Sequence, residues 1–344
     1  VVFSPREVRR IAEFLKRERV THLGMYLMTA TLKPYRLLVK ALRDAGFDGV
    51  ILAGGVHAAL CPEESLAEGA DFAVQGPGEL PLRMILARAE PASVPGLVWR
   101  RDKSVVVNPQ SAEQKLDLDT LPFPIYRFGQ DKVLLKGRLR KYTWRIHRKY
   151  AGWQGRYYDF ISSRGCPYKC AYCCRVDEGA IRRMTVDRAI RELQHLREHH
   201  PRVRGVNIQD DAFFCGSESW VEEFCRRMKA EVGLPFIVRM IPRFVTPERL
   251  EMLKSGGLHY VTMGLEGSDR LNNTLYRRPE DQKSFLKAAR AILDAGLYLS
   301  IDYLINNPYE TPRDLREIGL TLNSLPRPHW GVVGLSLTPF PGTP

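Results

Sequence analysis

Ser163-Arg164-Gly165-Cys166-Pro167-Tyr168-Lys169-Cys170-Ala171-Tyr172-Cys173 sets three thiols at C-x3-C-x2-C spacing. The stretch follows a run, Tyr158–Ser162, that reads as a strand, so the thiols fall in the loop at that strand's C-terminal end. Spacing this short lets one loop wrap a corner of a cubane and offer three thiolates to three irons. A [4Fe–4S] cluster is usually held by four Cys, so a set of three leaves one iron for a non-protein ligand. Cys174 adjoins Cys173 and cannot easily reach the opposite corner, while Cys215 and Cys225 lie in later elements and read equally well as small buried hydrophobes. Structural zinc is the competing reading, but it usually shows paired Cys/His knuckles that close four ligands, and no second pair is present.

Around this loop, strands and helices alternate, the pattern of an α/β protein with parallel strands. Strands are predicted near Tyr158–Ser162, Val203–Ile208, Pro235–Met240, His259–Gly264, Tyr298–Ile305 and Gly331–Leu337. Between them, Thr185 opens a helix with an apolar face of Val186, Ala189, Ile190 and Leu193, and Thr246-Pro247 opens one that closes at Gly256-Gly257. Thr311-Pro312-Arg313-Asp314 is a capping box. Six strands with right-handed crossovers curl into an open barrel that binds ligands at the strands' C-terminal ends. Upstream, Ser4-Pro5-Arg6-Glu7 is another capping box. Strands follow at His22–Leu27, Gly49–Ala53 and Asp71–Val74, with helices through Leu37–Leu42 and Glu79–Ala89. The expected division is a first domain over 1–108, a linker or inserted cap over 109–157 and the barrel over 158–344. Leu121-Pro122-Phe123-Pro124 cannot continue either element type, and a structureless loop that long is unusual, so part of it is expected to fold over a neighbour.

The 344 residues are 44% hydrophobic and 26% charged, a globular composition, and at roughly 100–200 residues per domain two domains are expected. No apolar run reaches the ~18–20 residues that span a bilayer. Seven Cys, four of them within nine positions, indicate metal or redox chemistry rather than a disulfide framework, and a cytoplasmic location is expected. The net charge of +13 is concentrated in Lys132–Arg156, where Lys136, Arg138, Arg140, Lys141, Arg145, Arg148 and Lys149 interleave with Tyr142, Trp144 and Tyr150. A stretch like this suits nucleic acid or a membrane surface, but a solvated basic linker is the plainer reading and nucleic acid is not the expected partner. The chain starts at Val1 without an initiator Met and stops at Pro344, and is expected to be a fragment truncated at both ends.

The C-x3-C-x-aromatic-C loop after a first barrel strand resembles the radical S-adenosylmethionine (SAM) superfamily. The resemblance implies that the open iron chelates the amino and carboxylate groups of SAM, that one electron breaks the sulfonium C–S bond, and that a 5′-deoxyadenosyl radical abstracts hydrogen from substrate. It also implies an external electron donor of flavodoxin or ferredoxin type. By that resemblance Cys166, Cys170 and Cys173 hold the cluster and Tyr172 takes the place where the family packs the adenine. Asp210 and Asp211, ending the second strand in Asn207-Ile208-Gln209-Asp210-Asp211, stand near the methionyl amine, although helix capping would also explain them. Arg239 or Arg243 could meet the methionyl carboxylate, and Glu266 in Gly264-Leu265-Glu266-Gly267-Ser268 resembles the G-x-E-S contact. Ile305-Asn306-Asn307-Pro308-Tyr309-Glu310-Thr311 resembles G-x-P-G-E-T, with Asn306 and Tyr309 where glycines are usual, which questions the close backbone approach there. Phe340-Pro341-Gly342-Thr343-Pro344 resembles the segment after the sixth strand.

Val50-Ile51-Leu52-Ala53-Gly54-Gly55-Val56-His57-Ala58-Ala59 is a strand running into a Gly pair, which a tight turn alone would explain. It resembles the G-G-x-H-A segment of cobalamin-binding domains fused ahead of radical SAM barrels, a likeness continued by Asp71–Glu79 and by Asp117-Leu118-Asp119-Thr120-Leu121-Pro122. The resemblance implies cobalamin contacts from Thr29, Gly54, Gly55, Val56, His57, Gly76, Gly78 and Glu79. His57 is read as a hydrogen-bonding or packing residue, because no D-x-H-x-x-G segment supplies a cobalt ligand. The fold expected is a partial doubly wound, Rossmann-like cobalamin-binding domain followed by a partial (β/α)6 radical SAM barrel. The function expected is methyl transfer to an unactivated carbon of a small-molecule substrate, the methyl passing from SAM through cobalamin. Non-methylating cyclases, oxidative enzymes and methylthiotransferases are the alternatives within the family, and a non-catalytic iron–sulfur electron carrier is the alternative outside it. No residue is assigned as hydrogen donor or general base.

Overall fold

The computed structural model describes residues 3–66, 69–174, 181–216, 218–341 and 343. Gly342 and Pro344 of the last motif lie outside them. Helix α1 (Pro5–Arg17) starts where its capping box sets it: the Ser4 side chain accepts from Glu7 N–H and the Glu7 carboxylate from Ser4 N–H. Strands β1 (His22–Tyr26), β2 (Val50–Gly54) and β3 (Phe72–Val74) follow, separated by α2 (Leu32–Asp44) and by the short α3 (Val56–Leu60) and α4 (Pro62–Ser65). Helix α5 (Glu79–Leu86) then leads to β4 (Leu97–Arg101) and β5 (Ser104–Val107). The sheet runs in sequence order, β1-β2-β3-β4-β5. Its first three strands are parallel, but β3–β4 and β4–β5 are antiparallel. That hairpin departs from the all-parallel expectation. Its strands face solvent on one side, and Arg100 and Arg101 interrupt the apolar pattern that marks the buried strands.

The stretch expected as a linker has elements of its own. Hairpin β6 (Lys132–Leu135) and β7 (Arg138–Lys141) rests on α1, where an Arg10 guanidinium N–H donates to the Gly137 carbonyl. Helix α6 (Trp144–Tyr150) follows, capped by Thr143. Phe128, Trp144 and His147 form one ring cluster, and Phe128 meets His200 edge-on at 5.6 Å. Residues 111–123 tie the two large sheets together. Gln114 Nε2 donates to the Gln75 and Pro77 carbonyls, Thr185 N–H donates to Asp119, and the Arg188 guanidinium donates to Leu121 O and stacks on Phe123 at 4.2 Å.

The second sheet starts with β8 (Tyr157–Phe160), which leads into a small ribbon of β9 (Ser163–Arg164) and β10 (Arg182–Arg183) that flanks the cysteine loop. It continues through α7 (Val186–His199), β11 (Gly205–Ile208), α8 (Glu218–Arg227), β12 (Phe236–Met240), α9 (Pro247–Gly256), β13 (Leu258–Glu266), α10 (Gln282–Asp294), β14 (Tyr298–Ile305), α11 (Pro312–Asn323) and β15 (Trp330–Ser336). All six strands are parallel, in the order β15-β14-β13-β12-β11-β8, and the end strands are not paired with each other, so the barrel is open. One core fills it, built on Phe160, Val206, Ile208, Val238, Val261, Met263 and Ile301 from the strands and Ile190, Leu193, Phe224, Leu253, Phe285 and Ile292 from the helices. No helix among the described residues is long and apolar enough to cross a membrane.

Candidate functional site

The C-terminal ends of β8, β11, β12, β13 and β14 gather the barrel residues singled out from sequence. Parallel strands bring their loops to one rim without further specification. Asp210 sits under the cysteine loop and is wholly buried. Its carboxylate accepts from Ser162 N–H at 2.6 Å, Ser162 Oγ at 2.5 Å, Ser163 N–H at 3.1 Å and Ser163 Oγ at 2.7 Å. The sequence reading placed it on the methionyl amine. The structure corrects that: four donors from the end of β8 already occupy Asp210, which anchors the loop rather than facing a ligand.

Asp211 reaches the surface beside the thiols, and partial loss of water around its carboxylate, then the neighbouring Asp210 charge, raises its pKa against the pull of Arg239. The loop itself is pinned at its far end, where Ala171 N–H donates to Tyr276 O at 2.8 Å and Cys173 N–H to Cys170 O at 3.1 Å. Cys170 is buried, Cys166 half-buried and Cys173 exposed. Although Cys173 reaches the surface, the protein packed around its sulfur and then the charges of Cys170, Asp211 and Cys166 push its thiol up to about 11. The three sulfurs are thus within electrostatic reach of one another, and as thiolates they call for a shared cationic partner, a donor set that fits a cluster. Among the described residues, no three His, Cys, Asp or Glu side chains are grouped to hold a single metal ion. Cys215 lies in a small apolar group that Cys166 borders, while Cys225 packs on α8 against Gly256.

A residue the sequence reading missed, Arg278, sits beside the cysteine loop. It is 9% exposed. One guanidinium N–H donates to the Tyr172 hydroxyl at 3.2 Å and another to the Gly264 carbonyl at 3.2 Å, and Glu266 lies 3.9 Å away. Its Nε has no hydrogen-bond partner among the described residues. A buried guanidinium with an unused donor needs an acceptor, and an incoming carboxylate would satisfy it. Burial raises Glu266 to about 7 against the opposing pull of Arg278. Glu266 also holds φ 63°, a left-handed conformation rare outside glycine. Arg278 escaped notice because Arg277-Arg278-Pro279 reads as a surface basic turn. Only the fold, across 106 positions, brings Arg278 to Tyr172.

The other arginines differ. Arg239 is exposed, donates to Gln209 Oε1, and its charge acts on Asp211 and Asp302. Arg243 is engaged elsewhere, with Glu280 at 2.6 Å and over the Tyr168 ring at 5.3 Å. At the β14 turn the doubt about Asn306 resolves: it adopts φ 62°, the conformation a glycine would supply, which Asn tolerates better than most residues.

In the first sheet, Leu27 N–H donates to Gly54 O at 2.7 Å and His57 N–H to Leu27 O at 3.0 Å, which joins the ends of β1 and β2. Gly55 has φ 95°, and a Cβ there would stand 2.7 Å from the Tyr26 ring, so this glycine is required by the turn. Gly76, at φ 74°, is likewise confined, with Gln110 2.6 Å from where a Cβ would lie. Gly54 and Gly78 have nothing within 4 Å of a would-be Cβ, which leaves bare backbone open to a ligand. Thr29 Oγ1 and His57 Nδ1 are 3.1 Å apart, and His57 is 1% exposed, with Nε2 3.6 Å from Glu64. Nδ1 is thus engaged within the turn, while Nε2 is buried without a hydrogen-bond partner among the described residues.

Glu79 does not face the space beside Gly78. Its carboxylate pairs with Arg164, two positions before Cys166, at 2.7 Å. Although burial alone would raise the Glu79 pKa, the Arg164 hydrogen bond and charge lower it overall. One ion pair thus joins the turn of the first sheet to the cysteine loop of the second. We expect Glu79→Gln and Arg164→Gln to be non-additive, with a coupling of about 1 kcal/mol in a double-mutant cycle read by denaturant unfolding. Additive effects would mean that the two side chains are not partners in solution.

Comparisons with known proteins match this geometry. The model of the radical SAM superfamily matches residues 160–321, and that of the B12 binding domain residues 2–86. The uncharacterized methyltransferase PH0819 of Pyrococcus horikoshii is 21% identical over 97% of this chain and 70% of its own length. The anaerobic magnesium-protoporphyrin IX monomethyl ester cyclase of Synechocystis is 30% identical over 53% of this chain, which spans 34% of that protein. Among solved structures, the radical SAM methyltransferase TsrM of Kitasatospora setae, with cobalamin and a [4Fe–4S] cluster bound, superposes with TM-score 0.72 at 16% identity, over 94% of this chain and 68% of that one. The cobalamin-dependent radical SAM enzyme OxsB superposes with TM-score 0.70 at 16% identity, over 92% of this chain and 45% of that one. Both share its two-sheet fold. With the cysteine loop on one sheet and the bare glycine turns on the other, the chain carries a radical SAM domain over 160–321, of a superfamily whose enzymes use a [4Fe–4S] cluster and SAM, and a B12-binding domain over 2–86 ahead of it.

Proposed function

We propose that this protein is a cobalamin-dependent methyltransferase that moves a methyl group from SAM to an unactivated carbon of a small molecule. The observation that carries the reading is the Glu79–Arg164 pair, which ties the residue after the bare Gly78 to the start of the cysteine loop. Substrate would lie between the two. When bound, the cluster supplies the electron that cleaves SAM homolytically, and cobalamin supplies a methyl carrier. It follows that the electron comes from an external one-electron donor.

The protein's own part is to bind, orient and exclude water. Cys166, Cys170 and Cys173 hold the cluster. Arg278 Nε takes the methionyl carboxylate, Asp211 the methionyl ammonium, and Tyr172 lies against the adenine. Buried Glu266, held by Arg278, fixes the guanidinium's direction and accepts from the cofactor. Arg278→Gln keeps donors for Tyr172 and Gly264 but removes the charge. We expect it to weaken SAM binding, measured by equilibrium dialysis of labelled SAM, about 30-fold while leaving iron content intact. Unchanged SAM affinity would remove Arg278 from the site.

Methyl-labelled SAM tests the reaction. Label recovered in product supports methyl transfer. Label confined to methionine, alongside turnover, points to the second reading, a non-methylating cyclase, which the 30% identity to the Synechocystis enzyme favours.

A further inference from the structure

The arginines of the basic stretch do not simply line a solvated surface. At the opposite end of the barrel, where β8 and β11 begin, Trp144, Arg148, Arg156, Arg202 and Arg204 line a cavity of about 440 Å³. That lies within the size range of small-molecule pockets, about 300–1,000 Å³. Four exposed arginines line it, and among the described residues none of them has a carboxylate in salt-bridge reach or a side-chain hydrogen bond. Several arginines elsewhere pair with acids, among them Arg17, Arg127, Arg191, Arg227, Arg249 and Arg270, while Arg6 and Arg101 stand singly without one among the described residues; what sets the four here apart is that they line one cavity together. Four like charges converging without an acid form a field that draws a polyanion, and the planar fork of Arg matches phosphoryl oxygens two at a time.

The frame beneath these side chains is built rather than loose. Arg204 N–H donates to Arg156 O at 2.7 Å, which starts the β8–β11 ladder and sets two of the four side by side. Gly155, at φ 61°, brings the chain so close to α6 that a Cβ would lie 3.1 Å from Arg148 Cα. Trp144 and Arg148 are four residues apart on α6, hence on one face. The Trp144 ring is braced by Phe128 at 5.3 Å and His147 at 5.2 Å. A braced indole among arginines is a stacking surface for a planar base.

We propose that this pocket binds a nucleotide, with its phosphoryl groups on Arg148, Arg156, Arg202 and Arg204 and its base on Trp144. It is a second site, on the face of the barrel away from the SAM site, and it does not depend on which reaction the enzyme performs. A concave pocket of this volume takes one mononucleotide, whereas a nucleic-acid strand needs a groove that continues beyond it.

The test is isothermal titration of the reconstituted protein with ADP, inorganic tripolyphosphate and a short single-stranded oligonucleotide at physiological salt. ADP should bind one to one, and SAM should not displace it. Arg148→Ala with Arg204→Ala should weaken ADP about tenfold or more, and Trp144→Ala should weaken ADP but not tripolyphosphate. A pair of equal charge change at exposed positions, Arg6→Ala with Arg101→Ala, should leave ADP binding as it was. SAM binding retained by the pocket variants shows that they are folded. The proposal is overturned if ADP does not saturate, if SAM displaces it, if the distant pair weakens it as much, if tripolyphosphate binds as tightly as ADP, or if the oligonucleotide binds more tightly than the mononucleotide.

Discussion

Replacing Cys166, Cys170 or Cys173 by Ser, one at a time, is expected to strip the iron from anaerobically reconstituted protein and to lower 5′-deoxyadenosine formation by about a thousandfold or more, the scale on which an irreplaceable catalytic group is lost. In the proposed site the three thiols act as a unit, because each would ligate a different iron of one cubane and no remaining pair could hold it. The size of the effect follows from the absence of a substitute. Cys174 lies next to Cys173 in the chain, and Cys225 is buried between α8 and α9, where its sulfur fills the space left by Gly256. Cys174→Ser and Cys225→Ser are therefore expected to retain iron. Cys215 is the informative control. It is buried in the apolar group beside Cys166 and is the remaining thiol close to the loop among the described residues. If Cys215→Ser lost the cluster along with the other three, a fourth thiolate would close the position that SAM needs, and the radical assignment would go with it. Stoichiometric zinc in place of iron would have the same consequence.

Much of this was legible in the sequence because it is local. The capping boxes at Ser4 and Thr311 and the Pro247–Gly256 helix are set within a few residues of themselves, and the structure has them where the pattern puts them. Strands β11 and β12 are buried almost throughout, while β15, at the open edge and largely exposed, is legible from its own apolar residues, Val332, Val333 and Leu335. Where a strand is both exposed and charged, the signal is lost. Hairpin β6–β7 carries Lys132, Arg138, Arg140 and Lys141, has no buried face, and so has no period-2 pattern to read. The roles of polar residues were harder still. Asp210 and Asp211 are chemically identical neighbours, and which of them turns inward depends on donors 47 and 48 positions away. Glu79 sits in a cobalamin-like motif, yet its partner is Arg164 on the other sheet. These are long-range contacts, set by topology rather than by spacing along the chain.

Asp210 yields the second large effect, on stability. Asp210→Ala is expected to cost about 3–5 kcal/mol, from the lost charge-assisted hydrogen bonds and the buried donors left without acceptors. The two serine hydroxyls can rotate toward other acceptors, but the N–H groups of Ser162 and Ser163 are fixed by the backbone and have nowhere to turn. Asp210→Asn keeps one acceptor oxygen for those N–H groups and loses chiefly the hydroxyl bonds, so a smaller loss of about 1–2 kcal/mol is expected. The difference between the two variants, measured by denaturant unfolding of the apoprotein, isolates the backbone contribution. Because Ser163 lies three residues before Cys166, the same anchor sets where the cysteine loop begins. At a temperature where both variants remain folded, Asp210→Ala should therefore take up less iron than Asp210→Asn. If the alanine variant instead unfolds like the parent protein and binds iron normally, Asp210 is not the anchor, and its carboxylate is free to meet the SAM ammonium after all.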